Sequence, residues 1–230
     1  MPVRELVLVD AQTAAVALHF SQIEPAKFHA VYDNRDAGLP GSGPVRVEGQ
    51  PPTGVLDADL ACDYAGSTYG FYCSVHGPDG IDNRGMRLIS TVRYCDEEGD
   101  CPYENAFWNG VQAVFGAGFA AADDVVAHEL THGVTDHESS LFYYMQSGAI
   151  NEAFSDIWGE CIDLTNGAGN DTPAVRWLHP EDLAGGANRS LSDPPAFGHP
   201  DRMTSPDYYC GARDGAACTS TVAWPTKPPS

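Results

Sequence analysis

The sequence predicts an α+β fold, with a β-rich amino-terminal part, a central helix and a mainly helical carboxyl-terminal part. Near the amino end, apolar and polar side chains alternate, which is typical of half-buried strands. Farther along, two stretches repeat residues of one kind about every four positions, the spacing of one helix face. With 230 residues, 43% of them hydrophobic, the chain is long enough to bury a core.

The first 24 residues contain two apolar runs, "ELVLV" and "AVALHF", on either side of "DAQTA". This pattern predicts a β-hairpin. The stretch from Gly38 to Gly54, "GLPGSGPVRVEGQPPTG", is rich in proline and glycine, which disfavour regular structure. We therefore expect a connector there.

The middle of the chain predicts one helix and two strand-like pieces. The small and aromatic residues from Asp57 to His76 fit a helix. The stretch "MRLISTVRY" then predicts a strand, and "ENAFWNGVQAVF" predicts a second one.

Two further helices are expected after these strands. Val126, Leu130 and Val134 recur every four residues and predict an amphipathic helix, capped by Asp123 or Asp124. The stretch "GAINEAFSDIWGECIDL" predicts the next helix. Beyond residue 166 the chain is mostly loops rich in glycine, proline and aspartate.

The charge balance excludes one class of partner. Against 12 Lys and Arg stand 32 Asp and Glu, a formal net charge of −20 that repels phosphate backbones and anionic membranes. We therefore expect no nucleic-acid partner and no membrane association. A run of about 18 apolar residues is also missing, so no transmembrane helix is predicted. The acidic residues either solubilise the surface or bind hard cations such as calcium.

The seven cysteines are an odd number, so one of them has no partner within the chain. Cys95 and Cys101 flank the short polar loop of "CDEEGDC" and can close it as a disulfide, which indicates an oxidising compartment. Cys62 and Cys73, if both lie on one helix, are about 16 Å apart and too distant to bridge. No C-x-x-C spacing occurs, so the cysteines predict no zinc ribbon.

The stretch "VVAHELTHGVTD" predicts a metal site. His128 and His132 are four residues apart and lie on one face of a helix, so both imidazoles can bind one ion. Zinc is the expected ion, because it binds neutral nitrogen ligands at about 2.0 to 2.1 Å. A catalytic zinc has three protein ligands and an open fourth position, so a third ligand must come from elsewhere.

The next predicted helix supplies that ligand. Glu152 and Asp156 are four residues apart, so packing the two helices face to face brings Glu152 to the metal. Asp156 can then accept the far ring N–H of a ligating histidine. Glu129 lies about 100° around the helix from His128, where a general base can reach the metal's water. The predicted reaction is hydrolysis of an amide. The apolar stripe opposite the two carboxylates consists of Ile150, Ile157, Cys161 and Leu164.

An accidental H-E-x-x-H pattern on a surface helix is the alternative for those five residues alone. The order and spacing of Glu152 and Asp156 downstream argue against accident. The remaining histidines are isolated in the sequence, so we expect them to be structural or solvated. They are His19, His29, His76, His137, His179 and His199.

Both helical stretches resemble the thermolysin family of secreted zinc metalloendopeptidases. "VVAHELTHGVTD" and "SGAINEAFSDIWGE" are similar to the family's two zinc helices, and "NAFWNG" is similar to the segment before them. The resemblance runs from about residue 32 to residue 214 and implies a thermolysin-like catalytic core. It implies His128, His132 and Glu152 as zinc ligands. It also implies Glu129 as the base and Asp156 as the partner that orients a ligand.

The resemblance further implies four residues that handle the substrate. Tyr143 would stabilise the oxyanion, while Asn105, the backbone of Ala106 and Arg189 would hold the peptide. Without the resemblance, Tyr143 is a core aromatic, Asn105 a polar residue at a strand end and Arg189 a surface charge. The implied preference is for a bulky apolar residue after the cut bond.

Members of the family bind calcium beside the zinc helices, and Asp124, Asp163 and Glu181 fall at ligand positions. Arg176 and Leu178 occupy places where further acidic ligands are expected. The resemblance therefore does not imply a two-ion site, and a single weaker calcium site stays open.

Both ends of the chain depart from the resemblance. Residues 1–31 resemble the last hairpin of the family's propeptide, residues 32–145 the amino-terminal catalytic part, and residues 146–214 the start of the helical carboxyl-terminal part. Residues 215–230 are atypical, because the family has Gly-Gly-Val-His there, with a histidine that assists the oxyanion. We expect a fragment truncated at both ends. Our hypothesis is that the tail is family sequence read out of frame, which the coding DNA would test.

The expected function is that of a secreted, monomeric, zinc-dependent metalloendopeptidase acting on peptide or protein substrates. The first alternative is a zinc-binding remnant that has lost catalysis because it lacks the later histidine. The second is an acidic secreted binding module with disulfides and no metal, which rests on composition and on Cys95 and Cys101 alone. Zinc content and peptidase activity distinguish the three.

Overall fold

The computed structural model describes residues 5–21, 27–34, 39–77, 80–96, 101–202 and 204–208. The hypothesis of an out-of-frame tail falls on residues 215–230 and lies outside this part of the chain. The described strands are Glu5–Val9 (β1), Val16–Ser21 (β2), His29–Asp33 (β3), Pro44–Val47 (β4), Leu88–Tyr94 (β5), Ala106–Trp108 (β6), Ala113–Gly116 (β7), Leu178–His179 (β8) and Arg189–Ser190 (β9). The described α-helices are Leu56–His76 (α1), Asp123–Glu138 (α2) and Met145–Asn166 (α3). The mixture of sheet and helices confirms the predicted α+β fold.

The amino-terminal hairpin forms as predicted. Strands β1 and β2 pair antiparallel, with Leu8 opposite Leu18. The side chain of Asp10 closes the turn, because its Oδ1 accepts hydrogen bonds of 2.8 Å from the backbone N–H groups of Gln12 and Thr13.

A five-stranded mixed sheet has the order β4-β3-β5-β7-β6. Strands β3, β5 and β7 run parallel, and β4 and β6 are antiparallel edges. The prediction of a connector from residue 38 to 54 is wrong at Pro44–Val47, which is strand β4. Proline is compatible with this position because an edge strand does not need every backbone N–H.

The stretch predicted as one further strand is a hairpin of two, β6 and β7. Asn109 interrupts it, since its Oδ1 accepts hydrogen bonds of 3.0 Å from the backbone N–H groups of Val111 and Gln112. Gly110 follows with a φ of 89°, a conformation that favours glycine. The turn leaves β6 at the edge of the sheet.

Helix α1 packs on the sheet through small side chains. Ala58, Ala61 and Ala65 are spaced three and four residues apart and are buried, so the helix backbone lies close to the strands. The helix ends at His76, as predicted, and Gly77 follows in the left-handed conformation with a φ of 77°.

Helix α2 is more buried than the predicted amphipathic helix, which would expose one face to solvent. Every residue from Asp123 to Gly133 is buried, because α1 and the sheet cover one side and α3 covers the other. The residue that precedes the helix is Ala122, so the prediction that Asp123 or Asp124 caps it is wrong. Both aspartates instead lie in the first turn, where carboxylates interact favourably with the helix dipole.

Helix α3 lies against α2 with its carboxylates inward. Gly159 permits the close approach, since a Cβ there would lie 2.9 Å from the carbonyl oxygen of Asp124. Two members of the predicted apolar stripe face outward, Ile150 with 47% and Ile157 with 39% of its surface exposed. The opposite face of α3 therefore meets α2.

The disulfide between Cys95 and Cys101 is present, with Cα atoms 4.7 Å apart. Cys62, Cys73 and Cys161 are free, so the prediction that the first two do not bridge is confirmed. Among the described residues, we find no helix with the length and hydropathy of a membrane span.

Candidate metal centre

Helices α2 and α3 bring three metal-binding side chains to one point. The Nε2 atoms of His128 and His132 are 3.0 Å apart. The carboxylate oxygens of Glu152 lie 3.2 Å from His128 Nε2 and 3.3 Å from His132 Nε2. Ligands about 2.0 Å from a tetrahedral ion lie about 3.3 Å from one another. The three donors therefore fit a zinc ion and leave one corner of the tetrahedron open.

Both histidines are oriented through their other ring nitrogen. His128 Nδ1 lies 2.9 Å from Asp156 Oδ1. His132 Nδ1 lies 2.7 Å from Asn151 Oδ1 and 3.1 Å from Ser155 Oγ. Such partners fix the ring and the tautomer that a metal needs. Asn151 and Ser155 were not anticipated from the sequence, although they are four residues apart on the same helix.

The charges of these buried side chains strongly shift one another's pKa values. Burial alone would lower the pKa of His128, but its contacts with Asp156 and Glu152 outweigh burial and raise the pKa to about 10. Burial opposes ionisation of Glu152 as well, yet His132 and His128 hold the pKa of its carboxyl well below the usual range. Without a metal these groups hold protons between them, and a bound metal would displace those protons.

Glu129 is buried beside the two histidines, with 6% of its surface exposed. Burial raises the pKa of its carboxyl, while His128 and His132 oppose the rise. A raised pKa suits a group that accepts a proton from water near neutral pH. The role of Glu129 as general base stays a prediction.

Arg189 and Tyr143 both contact residues of the centre. The guanidinium of Arg189 is buried, and its Nε and Nη2 donate hydrogen bonds of 2.9 and 2.6 Å to the carboxylate of Asp156. The Tyr143 hydroxyl donates to Glu152 Oε1 at 2.5 Å, and 55% of the Tyr143 surface is exposed. The predicted contacts of both residues with substrate stay predictions.

Asn105 and Ala106 lie where the chain enters the edge strand β6. Ala106 pairs with Phe115 on β7. Trp108, at the end of β6, donates a hydrogen bond of 2.9 Å from its ring nitrogen to Asp136 of α2, which connects the edge strand to the helix of both histidines. An extended peptide can add to such an edge, so the position suits the predicted substrate-binding role.

A second group of carboxylates adjoins the centre. Oxygen atoms of Asp124, Glu160 and Glu181 lie within 4.8 Å of one another. Burial is the main cause that raises the pKa of Asp124 and of Glu160 to about 7 and that of Glu181 to about 8. The predicted Asp163 lies outside this group. Burial and the neighbouring Asp123 raise its pKa to about 10.

His179, expected from the sequence to be isolated, lies against this region. Its Nδ1 is 2.6 Å from Asp124 Oδ2, and its ring centroid is 5.4 Å from that of His128. Burial lowers the pKa of His179 well below its usual value, so the ring is neutral. No local sequence pattern marks this residue, because the loop after α3 brings it to the site.

Two domain families match the chain. The thermolysin metallopeptidase catalytic domain matches residues 51–136, and the thermolysin metallopeptidase alpha-helical domain matches residues 139–222. The chain therefore belongs to the thermolysin family of metallopeptidases, which confirms the family resemblance of its sequence.

Individual relatives agree with this assignment. A zinc metalloproteinase of Renibacterium salmoninarum is 39% identical over 170 residues, which cover 68% of this chain and 31% of the relative. An extracellular metalloprotease of Pectobacterium carotovorum subsp. carotovorum is 43% identical over 168 residues, 68% of this chain and 46% of the relative. This chain thus spans about a third to a half of the length of these curated relatives.

A solved structure has the same fold. The precursor of protealysin, a metalloproteinase from Serratia proteamaculans, matches 83% of this chain and 63% of its own with a TM-score of 0.68 and 33% sequence identity. The thermolysin-like core predicted from the sequence is thereby confirmed.

Proposed function

We propose that this chain carries the catalytic centre of a zinc-dependent metalloendopeptidase that hydrolyses peptide bonds. The observation that supports this most directly is the convergence of His128, His132 and Glu152 at 3.0 to 3.3 Å, with Glu129 buried beside them. The names of the relatives, zinc metalloproteinase and extracellular metalloprotease, agree with this activity and with an extracellular location. The substrates would be peptides or proteins, and a monomer stays our prediction.

Zinc held by these residues would supply a Lewis acid that lowers the pKa of water and polarises a peptide carbonyl. Asp156 and Asn151 hold the two imidazoles with both Nε2 atoms directed to one point. Glu129 accepts the proton of the attacking water and delivers it to the leaving nitrogen as the C–N bond breaks.

The remaining proposed residues act on the substrate. The Tyr143 hydroxyl, which now donates to Glu152, would turn to donate to the oxyanion that develops on the carbonyl. Asn105 and the backbone of Ala106 would align the peptide along the edge strand β6. Arg189 would bind a substrate carbonyl while it keeps its two hydrogen bonds to Asp156.

The test compares Glu129→Gln with Glu138→Gln, a matched change at an exposed position of the same helix. We expect the unmodified chain and Glu138→Gln to cleave a fluorogenic peptide and to lose this activity in a chelator. Glu129→Gln should bind one zinc and lose about 10²- to 10⁴-fold in turnover. Equal activity in all samples would contradict the proposal.

The same measurements separate the alternatives. Stoichiometric zinc in the unmodified chain without turnover would favour a zinc-binding remnant. Purified chain without zinc, and with no zinc uptake when the ion is added, would favour an acidic binding module.

We also propose that Asp124, Glu160 and Glu181 bind one calcium ion. Three buried or half-buried carboxylates within 4.8 Å of one another repel unless protons or a cation lie between them. Glu160 is fully buried, and its Oε2 has no hydrogen-bond partner among the described residues. Calcium should raise the melting temperature of the unmodified chain and not that of Glu160→Gln. An equal rise in both would contradict the proposal.

A further inference from the structure

The short hairpin of β8 and β9 presents two buried side chains to the metal centre. His179 and Arg189 are direct partners across the two strands. Arg189 binds Asp156 of α3 through two hydrogen bonds, while His179 Nδ1 lies 2.6 Å from Asp124 Oδ2 of α2. The hairpin therefore contacts both helices that carry the proposed zinc ligands.

His179 reaches the ligand His128 in two ways. Directly, the two rings lie with centroids 5.4 Å apart and planes inclined by 33°. Indirectly, Asp124 lies one helical turn before His128, and its Oδ2 is 2.6 Å from His179 Nδ1, so the His179 ring lies against that turn of α2. The other sides of His128 are bounded by Asp156 at Nδ1 and by the ring of His132, whose centroid is 4.7 Å away.

We propose that His179 is a positioning residue that fixes the ring of His128 for zinc binding without touching the metal. This inference rests on the proposed zinc site. An aliphatic side chain, such as that of the preceding Leu178, could make neither the ring contact with His128 nor the polar contact with Asp124. Removal of a partner that orients a metal ligand typically weakens metal affinity about 10- to 100-fold.

A competing assignment makes His179 a ligand itself. Donor atoms of His128, Asp156 and His179 also lie within 4.8 Å of one another. Metal there would have to displace the contact between His128 Nδ1 and Asp156, which is 2.9 Å long, and the hydrogen bonds of Arg189 to the same carboxylate. The metal stoichiometry distinguishes the two assignments, because a second site adds a second equivalent.

The experiment uses two substitutions that separate the two contacts. His179→Phe keeps a ring beside His128 and removes the polar contact with Asp124. His179→Asn keeps a polar group near Asp124 and removes the ring. The matched control is His29→Phe, which changes another buried histidine, one that lies on β3 and contacts Glu48. Zinc affinity is measured by competition with a chromogenic chelator, and bound metal is counted by mass spectrometry.

We expect each His179 variant to bind one zinc with about 10- to 100-fold lower affinity than the unmodified chain. The visible spectrum of the cobalt-substituted protein should also change, because it reports the geometry of the ligands. His29→Phe should lower the melting temperature and leave both metal readouts unchanged.

Three results would overturn the inference. They are zinc affinity unchanged in both His179 variants, loss of a second metal equivalent, and an equal loss of affinity in His29→Phe. If a His179 variant is unfolded without zinc but refolds and binds zinc with wild-type affinity when the ion is added, its zinc affinity counts as unchanged. If the unmodified chain binds no zinc, the proposed function fails instead, so the two failures are distinguishable.

Discussion

Gly159 lies where α3 packs closely against α2, and alanine at this position should disturb the metal centre from outside it. A Cβ at residue 159 would lie 2.9 Å from the carbonyl oxygen of Asp124 and 3.6 Å from the Cβ of His128. Ordinary carbon–oxygen contacts are about 3.3 to 3.6 Å, so α3 must retreat by about 0.4 to 0.7 Å. The atom that it meets is backbone, which has no rotamer by which to move away.

The retreat separates the two histidines on α2 from Glu152 on α3. Metal sites tolerate changes of about 0.2 Å in ligand distances, so we expect zinc affinity to fall about 10-fold or more. Overpacking of this kind also lowers the free energy of unfolding by about 1 to 3 kcal/mol. The melting temperature should fall by about 2 to 4 °C for each kcal/mol in a chain of this size.

The assay measures the melting temperature in a chelator and the zinc affinity by chelator competition. The matched control is Gly70→Ala, in the middle of α1, where an added Cβ meets nothing within 4 Å. That change should stabilise the chain by about 0.5 to 1 kcal/mol and leave zinc affinity unchanged. If Gly159→Ala keeps both the zinc affinity and the melting temperature of the unmodified chain, the packing explanation of the site is refuted.

Three further predictions concern charges and the disulfide. Arg189→Met leaves the carboxylate of Asp156 buried without its cation. The free energy of unfolding measured in urea should therefore fall by about 3 to 5 kcal/mol. A smaller loss than that of the control Arg84→Met, at an exposed position, would contradict this prediction. In a chelator, the melting temperature should fall as pH rises through 7 and 8, because burial raises the pKa of Glu160 to about 7 and of Glu181 to about 8, and the stability gained by protonation is lost above those values. Saturating calcium in place of the chelator should flatten this dependence, and a melting temperature that rises over the same range would show the sign to be wrong. Replacing both Cys95 and Cys101 by serine should lower the free energy of unfolding by about 2 kcal/mol, and a reducing agent should then have no further effect on the double variant.

The convergence of the proposed zinc ligands could be predicted because its information is local. His128 and His132 share one helix and Glu152 and Asp156 share another, so residue spacing alone fixes which side chains face the same way. The same helical geometry fixes the direction of Asn151, which directly precedes Glu152. It was missed because amides are less conspicuous than carboxylates beside a metal pattern.

Glu160 was not predicted as an inward carboxylate for a different reason. It continues the series of Glu152 and Asp156 at the same spacing, so the sequence does contain a signal for a third inward carboxylate. The family resemblance implies Asp163 as the calcium ligand on this helix instead. The structure places Asp163 beside Asp123 and places Glu160 in the group with Asp124.

His179 and β4 depend on the path of the chain over long distances. Nothing near His179 in the sequence indicates a partner 55 residues earlier, and the contact with Asp124 exists only because β8 folds back onto α2. Pro44–Val47 likewise becomes a strand because β3 offers it an edge, against the local preference of its proline and glycine neighbours.

Because the inward side chains of α3 are regularly spaced, an inserted or deleted residue should disturb the site more than a substitution does. Each inward side chain from Asn151 to Glu160 reaches its partner at a fixed angle around one helix axis. One inserted residue turns everything after it by about 100°, which would carry Asp156 away from His128. As lineages of this family diverge, insertions and deletions should therefore accumulate in loops such as residues 48–55, between β4 and α1, and be eliminated by selection between Asn151 and Glu160.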